Sequence, residues 1–210
     1  MKIPLLCLLL AGGPLMAGAP ETAPAFSWVD PADPAAAVFR QAGEQAISRI
    51  GNTLIFEVER SLADNGLTKT LEVVHLKNFV TPKTGPGQPR ITAIRRTSLN
   101  LRNPANAPDA ADRAALDRFN TTIQEGDVVP AVLIQRLASP GAPVEWRVYR
   151  PISTMPQCLK CHGPREDLAP EVREFLDHHY PADQATGYTP YQWRGVIRVS
   201  LAADEPTPAK

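Results

Sequence analysis

Three side chains in one short stretch have the types and spacing to do chemistry together. They are Cys158, Cys161 and His162, within Pro156-Gln157-Cys158-Leu159-Lys160-Cys161-His162-Gly163. Cys-x-x-Cys-His is the attachment signature of a c-type haem. The two thiols add across the two vinyl groups of a porphyrin and become thioethers, and the two-residue gap lets one short turn of backbone span those vinyls. The adjacent imidazole then swings under the iron as an axial ligand. Gly163 lets the chain leave the porphyrin edge with no side chain in the way. Two blander chemistries fit less well. A thioredoxin-like redox pair wants a βαβ setting with a helix starting at the first cysteine, and Pro156 is the only sign of one. A structural zinc site wants four ligands, usually as two pairs, and no second pair exists. The reading is one covalent haem c, attached at Cys158 and Cys161 and ligated by His162.

The chain of 210 residues carries 22 basic and 22 acidic side chains. That balance points away from nucleic acid and from an anionic membrane surface. The length suits one domain with a real core. Met1-Lys2 followed by Ile3 to Ala11 reads as a basic start and an apolar run, broken by Gly12, Gly13 and Pro14. The run is too short to span a membrane. Residues 1–19 are therefore expected to be an export signal peptide, with cleavage placed after Ala17, and a periplasmic or otherwise exported location follows. Cys7 falls inside that leader. Only Cys158 and Cys161 then remain, so no disulfide framework is expected. Haem c is attached outside the bacterial cytoplasm, so leader and motif support each other.

The prolines set the expected layout. None lies between Ala35 and Thr81, and beyond that they recur every few residues. This predicts a long helical front half followed by short strands and turns. Residues 20–34 read as a flexible arm, with Trp28 tacking it to the body, and Asp33-Pro34 as the start of a helix. Val38, Ala42, Ala46, Ile50, Leu54, Val58 and Leu62 form an apolar row over a helix from Ala35 to Ala63, read as core packing. A second helix is expected from Thr68 to Asn78, with Leu71, Val74 and His75 on one side. A strand over Ile91–Leu99 and a helix over Ala110–Phe119 come next. A hairpin of Val128–Leu137 and Val144–Ile152 leads into the haem motif. A helix over Pro170–His179 and a last strand over Trp193–Leu201 complete a domain of residues 35–203, and residues 204–210 are a polar tail. The class is α+β, helices first and then a small antiparallel sheet.

Several runs carry a family likeness: Arg96-Thr97-Ser98-Leu99, Arg102-Asn103-Pro104-Ala105-Asn106-Ala107-Pro108-Asp109, the haem motif, and Gly187-Tyr188 before Arg194-Gly195. In this order they resemble the bacterial single-haem c-type domain with a PAS-like fold. That family is known from exported proteins, including a cyanobacterial haem protein, and from input domains of signalling proteins. The likeness runs from about Ala35 to Leu201. It implies a PAS-like antiparallel sheet cradling one covalent haem, with His162 as an axial ligand. Relatives often place a cysteine at the second axial position, in a run like Ala-Ile-x-Val-Cys. Here Thr70-Leu71-Glu72-Val73-Val74 stands there, so Val74 replaces that cysteine. Tyr191-Gln192 is a second departure, where relatives tend to carry Gly-Asp.

The other side of the iron stays open at this point. His75 is one residue from the lost cysteine, and one step rotates a helical side chain by about 100°; it is either the sixth ligand or a histidine packed at the haem or core edge. His178 and His179 end a helix, where cations are favoured without any role at iron. Met155 stands three residues before Cys158, awkward for the opposite haem face. The remaining option is an open sixth site lined by Val74 and able to take a small gas. Arg96, Arg102 and Asn103 are candidate donors to the haem propionates, or else solvated or structural. The expected role is redox sensing or electron transfer through a redox or signalling protein partner. A gas sensor or a small peroxidase-like enzyme is the alternative, although no acid–base pair accompanies the motif.

Overall fold

The computed structural model describes residues 25–75, 81–85 and 87–202. The expected signal peptide, the polar tail beyond Ala202, the last turn of the second helix, and the side chains of Val74 and His75 lie outside the described residues.

The first element corrects the reading of the arm. Ala25–Val29 is a strand, β1, and not a loose segment. Phe26, Trp28 and Val29 supply β-forming side chains between flanking prolines, and the run has no proline of its own. β2 (Arg90–Thr97), β3 (Leu133–Ala138), β4 (Glu145–Ser153) and β5 (Trp193–Ala202) complete one antiparallel sheet in the order β1-β3-β4-β5-β2. β1 pairs with β3, with Phe26 opposite Leu137 and Trp28 opposite Gln135. The guanidinium of Arg118 covers the Trp28 ring at 4.8 Å, so Trp28 does tie this segment to the body.

The two expected front helices follow one another end to end in α1 (Ala37–His75), and the break between them falls at Gly66, where the backbone is non-helical with φ 74° and ψ −177°. Thr70 holds the kink by donating to the Gly66 carbonyl at 2.7 Å. The first part of α1 packs on β4 and β5. A Cβ at Gly43 would sit 2.6 Å from Cβ of Val148, so glycine is what lets helix and sheet approach this closely. The buried face here is Phe39, Ala42, Ala46, Ile47 and Ile50, whereas Val38 is 40% exposed. A strict four-residue row drifts by about 40° per step around a 3.6-residue helix, which carries Val38 off the core. The later members Leu54, Val58 and Leu62 line a cavity instead.

The other face of the sheet is covered by α2 (Ala110–Glu125), capped by the Asp109 carboxylate and ended by left-handed Gly126. This helix runs beyond the expected Phe119 because that glycine is the first true stop. Ala115, Leu116 and Phe119 pack on Leu133, Tyr149 and Val196. Under α2 lies a charged cluster. Arg147 donates to Asp109 at 2.7 and 2.8 Å, to Asp112 at 3.2 Å and to Glu145 at 2.8 Å. With helices on both faces, β5 is buried from Gly195 to Ala202: Ile197, Val199 and Leu201 join the core under α1, while the alternating Arg198 and Ser200 are buried polar residues. The α+β, PAS-like expectation of an antiparallel sheet behind a long N-terminal helix holds. α3 (Leu159–His162) and α4 (Pro170–His179) lie between β4 and β5 in the chain, and α4 has the expected bounds. β3 begins five residues later than Val128, whose side chain is 94% exposed. Among the described residues, no helix is long and apolar enough to cross a membrane.

Candidate functional site

A cavity of about 890 Å3 lies between α1, the α1-facing side of the sheet, and α3 with the turn before it. Its apolar wall comes from Leu54, Val58 and Leu62 of α1 and from Ile94 and Ile197 of the sheet. Volumes of roughly 300–1,000 Å3 are typical of small-molecule and cofactor sites.

Cys158, Cys161 and His162 form one side of it. Pro156–Cys158 is a single 3-10 turn, and α3 continues it directly. Residues three apart on such a turn share a face, which is how both thiols come to line the same cavity. Neither is in a disulfide. Burial pushes the Cys161 thiol above its ordinary value, with Arg102 acting against it. Gly163 ends the turn where a Cβ would sit 2.7 Å from the Leu159 carbonyl oxygen. The sequence supplies glycine there because the turn closes on itself.

His162 is fixed from behind. Its Nδ1 lies 2.7 Å from the carbonyl oxygen of Ala185. A carbonyl can only accept, so Nδ1 carries the proton and Nε2 is left with its lone pair, the form that ligates a metal. Burial, then the nearby Arg102 and Arg194, push the imidazole pKa well below its ordinary value. The ring is therefore neutral at neutral pH. The backbone repeats the clasp: Tyr188 N–H donates to the His162 carbonyl at 2.9 Å and Gly187 N–H to the Gly163 carbonyl at 2.8 Å.

Arg102 lines the cavity and ties this clasp together. It donates to the Cys161 carbonyl at 2.6 Å and to the Ala185 carbonyl at 3.3 Å, and pairs with Asp183 at 3.0 Å. Asn103 also lines the cavity, and its Oδ1 caps the following turn by accepting from Ala105 N–H at 2.9 Å. Arg96 follows Ile94 by two residues on the cavity side of β2, where burial and then Arg194 lower its pKa. The structure thus brings together six of the seven residues singled out in sequence. The seventh, His75, ends α1, and its side chain lies outside the described residues. Met155 lines the cavity too, whereas His178 and His179 do not, and the His179 ring stacks on Phe175 at 4.0 Å.

Sequence reasoning missed the supporting residues: Asp183 and Ala185 behind His162, and Arg194 at the cavity wall. Gly187-Tyr188 and Arg194-Gly195 stood in the family likeness without a role. Tyr191 takes φ 65°, a left-handed backbone that glycine adopts at less cost.

The cavity suits a haem on three counts. Its two thiols and imidazole come from one turn, its α1 wall is apolar, and its remaining wall is cationic. Arg95, Arg96, Arg102, Arg150, Lys160 and Arg194 line it, and among the described residues no carboxylate does. Such a lining matches a flat apolar body ending in carboxylates.

The chain is similar to a solved structure described as that of the cyanobacterial heme-protein Tll0287. Identity is 25% and the TM-score 0.41, over 55% of this chain and 63% of that one. The chain thus spans less than two thirds of that relative's length. None of the curated proteins compared matches it. The Tll0287-like family matches residues 70–202, more than half of the sequence and the whole of the described site apart from the α1 wall. The chain belongs to the Tll0287-like family.

Proposed function

We propose that this protein is an exported c-type haem protein that senses redox state or transfers electrons through a protein partner. The observation that carries the reading is the joint placement of Cys158, Cys161 and His162 on one cavity wall, with His162 Nδ1 held by the Ala185 carbonyl. Family membership supports it, since the similar solved protein is described as a heme-protein.

Bound there, a haem would supply a one-electron iron couple tuned by its axial ligands and surroundings. The chain's own residues do the rest. Cys158 and Cys161 provide the thiols for covalent attachment. His162 presents Nε2 in a fixed direction because Ala185, Arg102 and Tyr188 brace the turn that carries it. Leu54, Val58, Leu62 and Ile197 keep water from the apolar body. The leader over residues 1–19 supports export, and export supports attachment.

Protein made with haem-maturation machinery tests this by absorption and electron paramagnetic resonance. Covalent haem bands with low-spin ferric iron are expected. Loss of the low-spin signal in His75→Ala assigns the second ligand to His75. High-spin iron that binds carbon monoxide after reduction favours the gas-sensor alternative. Absence of covalent haem contradicts the proposal.

A further inference from the structure

The cations around the cavity are not equivalent. Arg102 already has its counter-charge in Asp183, whose side chain is only 4% exposed. Its remaining bonds go to the Cys161 and Ala185 carbonyls. Through Nε and Nη2 that guanidinium holds the motif turn against the 183–188 segment. Arg95 is turned to the carbonyls of Ala105 and Ala107, at 3.0 and 3.1 Å, and Arg150 to the Ser48 hydroxyl at 2.8 Å.

Arg194 is different. It donates to the Ser98 hydroxyl at 2.6 Å and to the Asn100 carbonyl at 2.9 Å, both through Nη1. It also lies over the Tyr188 ring at 5.2 Å. All of these partners are neutral. Among the described residues Arg194 has no ion-pair partner, and its buried Nε has no hydrogen-bond acceptor. A half-buried guanidinium at a cavity wall, held in place by neutral groups, with its nearest carboxylate, Asp183, already paired to Arg102, is what an anionic ligand group would complete. Arg96 stands close enough to act on it electrostatically and lines the same wall.

We infer that Arg194, with Arg96 beside it, receives the carboxylate end of the cavity's ligand, and that Arg102 is a positioning residue for His162. This rests on the haem reading and gives it a direction: the propionates of a tetrapyrrole dicarboxylate point toward the start of β5. It replaces Arg102 and Asn103 as the primary carboxylate donors. Arg102 faces an existing carboxylate, and Asn103, whose Oδ1 serves as a cap, has only a neutral amide N–H to offer, the weaker kind of donor to a carboxylate.

The test uses the full chain produced without haem attachment, titrated with ferric haemin and with haemin dimethyl ester and followed by absorbance. The ester keeps the flat apolar body and loses both negative charges. The wild type is expected to prefer haemin over the ester by about tenfold or more, the scale of a charge-assisted hydrogen bond. Arg194→Gln should lose most of that preference while its affinity for the ester stays unchanged, and Arg194→Lys should restore part of it. Arg102→Gln should instead weaken both ligands alike. Equal binding of haemin and ester by the wild type overturns this inference and leaves the haem reading standing. So does a haemin preference undiminished in Arg194→Gln. If neither ligand binds the wild type, both fall. Because the comparison is internal to each variant, a general loss of stability does not imitate the expected result.

Discussion

The carbonyl oxygen of Ala185 lies 2.7 Å from Nδ1 of His162, 23 residues earlier in the chain. That single contact fixes which ring nitrogen carries the proton, and so which one faces the cavity as a base. In a nitrogen-15 correlation spectrum of the haem-free protein at neutral pH, His162 should appear as the neutral Nδ1–H tautomer. An Nε2–H ring, or a rapid mixture of tautomers, would mean that the clasp does not orient this histidine.

Arg102 and Asp183 hold the clasp from the side, at 3.0 Å and with side chains 14% and 4% exposed. Removing one partner leaves the other charge buried. Arg102→Met should therefore cost about 3 kcal/mol in urea unfolding. Adding Asp183→Leu should recover part of that loss, because both charges then leave together. A loss under about 0.5 kcal/mol for the single variant, the scale of an ordinary surface change, would place the pair among solvated contacts.

The motif turn closes tightly enough to exclude a methyl group at Gly163, where a Cβ would meet the Leu159 carbonyl at 2.7 Å. Backbone on both sides of the clash cannot swing away as a side chain can. Gly163→Ala should destabilise by about 1–3 kcal/mol and lower the yield of haem-loaded protein. Unchanged stability and loading would show that the turn yields easily.

The cluster under α2 sets a dependence on acid. Burial tends to raise the Asp109 pKa, but the Asp112 amide and Arg147 outweigh it and the carboxyl sits below its ordinary value. Glu145 is lowered in the same way, by Arg147 and Ser200 against burial. A folded pKa below the unfolded one means that stability is complete above about pH 4 and is lost as the pH falls through the folded value. Asp109→Asn keeps the helix cap and removes only the charge. It should cost about 1 kcal/mol at neutral pH, partial exposure screening the pair, and nothing once both states are protonated. A cost that persists unchanged in acid would assign the effect to the cap.

The reactive part of the site was legible because it is local. Cys158, Cys161 and His162 fall within one turn, so their spacing alone pointed to a shared site, and all three line one cavity. What braces them comes from far away in sequence. Asp183 and Ala185 contribute a carboxylate and a carbonyl to a clasp that no periodicity reveals, and Arg194 meets Ser98 and Asn100 only because β5 returns beside β2. The elements followed the same division. α4 was readable from its proline start and its ending at Tyr180-Pro181, whereas β1 was hidden in a proline-rich stretch and takes its form from pairing with β3. The α1 row was visible, but which of its residues face core and which face cavity depends on where the sheet ends.

The account turns on covalent haem at Cys158 and Cys161. The most direct measurement is the intact mass of protein co-produced with haem-maturation machinery, taken after unfolding and acid extraction of free haem. The mass is predicted to exceed that of the processed polypeptide by one haem, and to lose that increment in the Cys158→Ala, Cys161→Ala double variant. A wild-type mass equal to the polypeptide alone would contradict the account.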